Sequence, residues 1–342
     1  MSSRARWLVA FFALIVVGVA ALGAFVVYDV RRGVDGGNER VRVTVAHGAA
    51  FQTVVRDLVE KNLVGRAWTL EFFAKATGAD RRVSRGTYEF VRGTPALDLL
   101  RALVDGDVLS VRVTIPEGFT MWQVAGAFEA AGVDSADMMG AIEDADLRRT
   151  LQVADATLEG YLYPDTYQVP FGSDARDIVA QMLTRFHAVW TRDFDRRAAE
   201  TGMTRHEAMT LASIVEAEAR APEERPMVSA VYHNRLKAGM KLDADPTVAY
   251  AMGGFRGRLL YKDLAMDSPY NTYRRPGLPP GPIGNAGEGS IRAALYPDET
   301  LRALYFVARG DGRHEFSETM QQHAAAVRRA RAARADREAR PR

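Results

Sequence analysis

Trp7 to Val27 is an unbroken apolar run of 21 residues. A bilayer's hydrocarbon core is crossed by about 20 helical residues, so the run has the length of a membrane span. It is too long for the apolar region of a cleaved signal peptide, and no small-x-small site closes it. We therefore expect one uncleaved spanning helix over 7–28, in preference to a buried core helix. Residues 1–6 are a short tail ahead of it. Residues 29–40, with Gly33, Gly36 and Gly37, read as a flexible linker behind it. Arg4 and Arg6 precede the run, but Arg31 and Arg32 follow it, partly offset by Asp29 and Asp35, so flanking charge does not set the orientation. A short tail leading a large C-terminal part fits an anchor with its N-terminus in the cytoplasm. That arrangement exports everything after Tyr28.

The remainder has the composition of a folded protein. Apolar residues make up 47% of the chain and charged residues 26%. There is no cysteine, which excludes disulfides, thiolate metal sites and a cysteine nucleophile. A formal charge of +2 implies no bulk electrostatic partner, and nucleic acid is not expected.

A repeat organises the next part. Val41-Arg-Val-Thr-Val is followed by Gly48, Phe51, Val54 and Leu58. Val111-Arg-Val-Thr-Ile is followed by Gly118, Met121, Val124 and Phe128. Each copy predicts an alternating strand, a glycine turn and an amphipathic helix. The copies lie 70 residues apart, which makes them duplicated units and not a solenoid. Gly86-Thr-Tyr-Glu-Phe between them reads as a strand. Thr94 to Val104 reads as a helix capped by Thr94 with Pro95 in its first turn. Together these predict a small β-α-α-β module over about 41–110, as a functional module or as a spacer.

Asp134 to Leu151 predicts one helix and Asp174 to Thr201 another. Between them, Thr157 to Pro170 interleaves Tyr161, Tyr163 and Tyr167 with polar residues. Tyrosine faces stack on sugar rings and their hydroxyls bond sugar hydroxyls, so the strip suits a glycan groove, although plain strand core gives the same alternation. A further helix is predicted over Arg205–Arg220, with Thr204 and Glu207 forming a capping box. Leu211, Ile214 and Val215 make one apolar stripe of that helix. Glu218 falls near the stripe and Glu216 beside it. A carboxylate at such a margin is partly desolvated, which raises its proton affinity and suits it to general acid work. On the octapeptide alone, two solvated glutamates is the plainer reading.

Arg225 to Lys237 reads as a helix. Asp243 and Asp245 are spaced for a hard cation, but Pro246 and the lack of further clustered carboxylates argue against a metal site. Asp267 to Gly289 is rich in Pro, Gly, Asn and Tyr, the composition of a binding loop. Ser290 is the expected cap of a short helix to Leu295. Leu304 to Ala308 is a predicted strand before a Gly310-Asp-Gly turn. The tail over 324–342 carries seven arginines against Asp336 and Glu338. It reads as a solvated, frayed helix end in preference to a nucleic-acid or anionic-lipid binding segment.

Seven collinear motifs resemble one family: Leu158-Glu-Gly-Tyr-Leu-Tyr-Pro-Asp-Thr-Tyr, Leu211-Ala-Ser-Ile-Val-Glu, Asn234-Arg-Leu, Asp245-Pro-Thr, Ser268-Pro-Tyr-Asn-Thr-Tyr, Gly277-Leu-Pro-Pro-Gly-Pro-Ile and Tyr305-Phe-Val-Ala-x-Gly-Asp-Gly. Together they resemble the MltG (YceG-like) endolytic murein transglycosylases, over essentially the whole chain to about His323. The resemblance implies an α+β protein: a membrane helix, a LysM-like module over 41–110, and a larger mixed α/β catalytic domain over 111–323 with a substrate groove. It implies a lyase on the extracytoplasmic face of the bacterial inner membrane, cutting nascent peptidoglycan strands without a cofactor or metal. Membrane lipid and cell-wall synthases are the further partners it implies.

By the same resemblance the catalytic glutamate is Glu216, although the stripe argument favours Glu218 as the more buried. Tyr163, Asp165, Glu218, Asp245, Asn271 and Tyr273 are the candidate substrate contacts. The chain departs from the family pattern at Ala217, Ala286 and Gln322. Three other functions remain open on the sequence: a hydrolase of the same glycan with Asp165, Asp243 or Asp245 as base, a non-catalytic peptidoglycan-binding scaffold of the growth or division machinery, and a membrane-tethered regulator whose Arg-rich tail binds acidic partners.

Overall fold

A computed structural model of the chain describes residues 3–35, 37–150, 157–254 and 259–339. They divide into two compact units, Met1–Val111 with Gln168–Ser173, and Arg112–Tyr167 with Asp174–Arg342.

The first unit begins with α1 (Ser3–Val30). Its segment Ala10–Val30 has a mean hydropathy of 2.8, the length and composition needed to cross a membrane. Within it only Val26 and Val30 are buried, among the described residues. The rest of the unit is β1 (Arg40–Val45), α2 (Phe51–Glu60), α3 (Ala67–Thr77), β2 (Gly86–Val91) and α4 (Ala96–Asp105), which realises the predicted β-α-α-β order. β1 and β2 pair antiparallel with Val43 opposite Tyr88. Alternation along the strands sends Val43, Val45, Tyr88 and Phe90 inward, where they meet Leu58, Leu70 and Leu103 from the helices. Tyr88 keeps its hydroxyl satisfied by donating to the Ser84 carbonyl at 2.8 Å.

α1 is fastened to α3. Phe25 stacks on Trp68 at 6.0 Å, and Thr69 Oγ1 donates to Asp29 Oδ2 at 2.7 Å. Arg66 pairs with the same carboxylate. The expected flexible linker therefore starts later than Asp29. α4 also starts later than expected. Pro95, with an extended ψ of 138°, is its N-cap, and the Thr94 hydroxyl donates to the Val91 carbonyl in the turn leaving β2.

β3 (Ser110–Thr114) and β4 (Thr166–Pro170) form a two-stranded sheet. In the second unit, α5 (Met121–Ala127), α6 (Ser135–Ile142) and α7 (Ala145–Thr150) precede β4, and α8 (Ala175–Val189) and α9 (Arg192–Glu200) follow it. The repeat's two glycine turns are both present, with Gly48 at φ 71° and Gly118 at φ 78°, where a side chain would be strained. The helix expected over 134–151 is two helices. Asp144 interrupts it by accepting from the Asp146 and Leu147 amides at 2.8 and 3.0 Å, which caps α7. Leu151 lies outside the described residues. The helix expected over 174–201 also divides, at Trp190. That residue is buried with ψ 92°, and its Nε1 donates to Asp195 at 2.7 Å. Burial of the indole overrides helix propensity there.

The unit continues with α10 (Arg205–Glu218), α11 (Arg225–Lys237), α12 (Asp245–Ala251), α13 (Glu288–Leu295), the antiparallel hairpin β5 (Tyr305–Ala308) and β6 (His314–Ser317), and α14 (Met320–Ala339). Gly287, not Ser290, is the N-cap of α13. Ser290 sits inside the helix, buried, with no partner for its hydroxyl among the described residues. The basic tail continues α14, with Arg331 to Ala335 exposed, as a solvated helix end should be.

Candidate active site

α10 starts at the predicted capping box: Thr204 Oγ1 accepts from the Glu207 amide at 3.1 Å, and the Glu207 carboxylate accepts from the Thr204 amide at 2.8 Å. The sequence predicts one apolar stripe, but all eight residues from Ala208 to Val215 are buried. α10 is a core helix, packed on α13, α11 and α12. Its polar members are satisfied locally. Thr210 donates to the His206 carbonyl at 2.8 Å. Ser213 donates to the Thr210 carbonyl at 2.7 Å and accepts the Ile283 amide at 3.0 Å. Burial ends in the last turn, at Glu216 and Glu218. Two residues are about 200° around a helix, so these carboxyls leave α10 on opposite flanks.

The Glu216 side chain is 8% exposed. Its Oε1 accepts from Arg225 Nη2 at 3.0 Å and its Oε2 from the Gly287 amide at 3.1 Å. Arg225 Nη2 also donates to Glu117 Oε2 at 3.1 Å. The wall here is bare backbone. A Cβ built on Gly287 lies 1.9 Å from a Glu117 oxygen, and one on Gly289 lies 2.3 Å from Arg225 Nη1, so side chains at either place would displace the ion pairs. The Gly287 amide at the start of α13 thus holds Glu216. The Tyr163 hydroxyl lies near the charges of Glu288 and Glu117. Burial pushes the Tyr163 hydroxyl's pKa upward, keeping it neutral, and the Arg185 guanidinium lies over the ring at 5.4 Å.

Glu218 faces a different cluster. Tyr232, fully buried, donates to Glu218 Oε1 at 3.2 Å. Burial pushes the Glu218 carboxyl up to about 7, helped by the nearby Asp245 charge and opposed by Tyr232 and Arg235. Asp245 accepts from the Tyr273 hydroxyl at 2.6 Å. The structure therefore joins Glu218, Asp245 and Tyr273 in one network, apart from Glu216 and Tyr163. Asp165 belongs to neither cluster. The Thr166 amide and Arg185, the latter at 2.5 Å, hold its carboxyl below the usual range.

Asn271 is wholly buried. Its Nδ2 donates to the Leu264 and Met266 carbonyls at 3.0 and 2.7 Å, and its Oδ1 accepts from the Tyr273 amide at 3.0 Å. Its polar atoms shape the loop that carries Tyr273 and leave it no free group for a ligand. Asp243 sits beside Arg235 at 3.5 Å, and no group of metal-ligating side chains exists among the described residues.

Sequence reasoning missed Glu117, Arg225, Glu159 and Asn285. Glu159 is 3% exposed, and burial pushes its carboxyl up to about 7 although it accepts from the Met121 amide at 2.9 Å and Asn285 Nδ2 at 3.0 Å. Asn285 also accepts the Leu162 amide at 2.9 Å and donates to the Phe119 carbonyl at 2.8 Å. These two residues clamp the 117–121, 159–162 and 285 segments behind Glu216. Glu159 lies inside the Leu158-Glu-Gly motif, the signal that pointed to it. Gly160, at φ 85°, approaches Pro282 so closely that a Cβ would lie 2.4 Å from the ring, which joins the Tyr strip to the Pro-Gly loop.

An anchor-like apolar helix, a β-α-α-β unit and a helical unit with an ion-paired glutamate closing its central helix define the class of this chain. Residues 43–329 match the YceG-like family, and the chain belongs to that family. It is 30% identical over 302 residues to the endolytic murein transglycosylase of Bacillus subtilis (strain 168), covering 83% of this chain and 82% of that protein. It is 28% identical over 300 residues to the endolytic murein transglycosylase of Streptococcus pneumoniae, of which the match covers 54%. A YceG-like protein of Listeria monocytogenes with a crystal structure superposes with a TM-score of 0.58 at 31% identity, over 84% of this chain and 99% of the other.

Proposed function

We propose that this protein is a membrane-anchored endolytic lytic transglycosylase that cuts the MurNAc–GlcNAc bond of peptidoglycan strands, with Glu216 as acid and then base. The observation that carries the reading is the Glu216 side chain at the end of α10, 8% exposed and held by Arg225 and the Gly287 amide. The relatives' names agree with it. In the resting state Glu216 is an ion-paired carboxylate. Arg225 already reaches Glu117, so a glycan entering the site displaces it from Glu216 without stranding its charge. Glu216, freed of Arg225 and desolvated by the glycan, takes up a proton from solvent and gives it to the glycosidic oxygen as the bond to the muramoyl anomeric carbon breaks. The carboxylate left behind takes the proton of the muramoyl 6-hydroxyl, whose oxygen bonds to that carbon and closes the 1,6-anhydro ring. The attack is intramolecular, so no water has to be recruited or positioned.

Several finer assignments belong to this reading. α1 anchors the protein in the inner membrane with both units on the extracytoplasmic side, near cell-wall synthases. The β1-α2-α3-β2 order supports a LysM-like, glycan-contacting role for residues 41–110. The catalytic domain runs over 111–323. Tyr163 contacts sugar directly, Asp165 acts through its Arg185 partner, and Glu218, Asp245 and Tyr273 border the bound strand. Asn271 serves by holding the Tyr273 loop.

Digestion of purified peptidoglycan by the Glu216→Gln protein tests the assignment. Folded protein with no anhydro-ended fragments in the mass spectrum is expected. Anhydro products at the unaltered protein's rate would overturn it. A second reading makes Glu218 the acid, because its carboxyl already holds a proton near neutral pH. In that case Glu218→Gln, and not Glu216→Gln, abolishes the product.

A further inference from the structure

We infer that α3 of the first unit rests on the bilayer beside α1, through an aromatic face made by Trp68 and Phe72. The inference rests on reading α1 as a membrane span. Trp68 and Phe72 are one helical turn apart and are 47% and 52% exposed, unusually high for side chains this apolar. Lys75 and Ala76, a further turn along, are also exposed, so the face runs from aromatic to basic. Outside α1, no other helix of the first unit offers two large exposed aromatics on one face among the described residues.

The occupant follows from where this face lies. Trp68 stacks on Phe25, which is inside the candidate span, and Arg66 lies over the same Phe25 ring at 5.5 Å. The Thr69 bond to Asp29 and the burial of Val26 and Val30 fix α3 against that end of α1. Because the unit covers Val26 and Val30, the stretch fully open to lipid ends near Phe25. From Trp7, which is 76% exposed, to Phe25 is 18 steps of about 1.5 Å, or roughly 27 Å, close to one hydrocarbon thickness. Phe25 therefore sits at the level where acyl chains give way to headgroups, and Trp68, in contact with it, sits at the same level. Tryptophan favours that level, with its ring in the apolar margin and its N–H among headgroups. Trp7 marks one membrane surface, and the other is marked by a residue from a different helix. Lys75 adds a cation suited to anionic headgroups.

The consequence is orientation. A single span leaves the following domain free to swing, whereas a span with an adjoining interfacial helix fixes the first unit against the membrane plane.

The chain has no native cysteine, so spin labels can be placed singly on the full-length protein. Phe72→Cys, Val16→Cys in the span and Asp105→Cys on the exposed end of α4 are labelled in nanodiscs of phosphatidylethanolamine and phosphatidylglycerol. Relaxation by oxygen and by a water-soluble nickel chelate is then compared. Oxygen contact at Phe72 between the values at Val16 and Asp105, with nickel contact reduced below that at Asp105, is the expected result. Oxygen contact at Val16 with Phe72 matching Asp105 overturns the aromatic-face inference and leaves the span intact. Nickel contact at Val16 overturns both. Dipolar broadening between Phe72 labels would show a second copy of the chain on this face in place of lipid, and would overturn it as well.

Discussion

Arg225 Nη2 lies 3.0 Å from Glu216 Oε1, a pair in which the two side chains are 16% and 8% exposed. Removing one partner of so shielded a pair strands the other charge, at a cost of about 3 kcal/mol. Arg225→Met should destabilise the protein by about that much in urea unfolding. Combined with Glu216→Gln it should cost less than the sum of the two single changes, by about 2 kcal/mol. Strict additivity would mean that the contact does not hold in solution.

Glu218 gives a pH signature. Its carboxyl titrates near 7 in the folded chain against an ordinary 4.5. Between those values the folded protein holds a proton that the unfolded chain has released, so this group lowers stability as pH rises through that window. Below about 4.5 both states are protonated and the penalty vanishes. Glu218→Gln cannot release that proton. The variant should therefore gain stability relative to the parent as pH is raised from 5 to 7, measured by denaturant midpoints. A gap that does not change with pH would show that Glu218 is ionised throughout.

Tyr163→Phe removes a buried hydroxyl and keeps the ring under Arg185. Stability should change by less than about 1 kcal/mol. If Tyr163 also contacts sugar, kcat/KM on peptidoglycan should fall by about tenfold, a change worth 1.4 kcal/mol. Unchanged kcat/KM would leave the residue with the structural task only.

Gly160→Ala combines a positive φ with the close approach of Pro282. A loss of at least about 2 kcal/mol is expected, read as a lowered unfolding midpoint. Adding Pro282→Ala should return part of it. A midpoint unaffected by Gly160→Ala would mean that the two loops are not in contact.

What the sequence made legible was local. The capping box at Thr204 and Glu207, the glycine turns at Gly48 and Gly118 and the apolar run of α1 each depend on residues within a few positions, and each is present as read. What it hid depends on distant partners. Trp190 breaks a helix that its neighbours would continue, because its ring is buried and its N–H is taken by Asp195. Asn271 and Tyr163 look alike as polar loop residues in a motif. Only tertiary structure shows that the side-chain polar atoms of Asn271 are occupied within its loop while Tyr163 lies under Arg185 and near Glu288 and Glu117. Glu216 and Glu218 differ in their partners for the same reason: an arginine nine residues on reaches one, and a buried tyrosine reaches the other.

The capping box that starts α10 and the two glutamates that close it make the helix a ruler. Its first residue is pinned by Thr204, and each residue added or removed before Glu216 turns the far end by about 100°. One insertion would carry both acids away from their partners, even with every side chain retained. In this protein the count of residues between cap and carboxyl is under as tight a physical constraint as their identity.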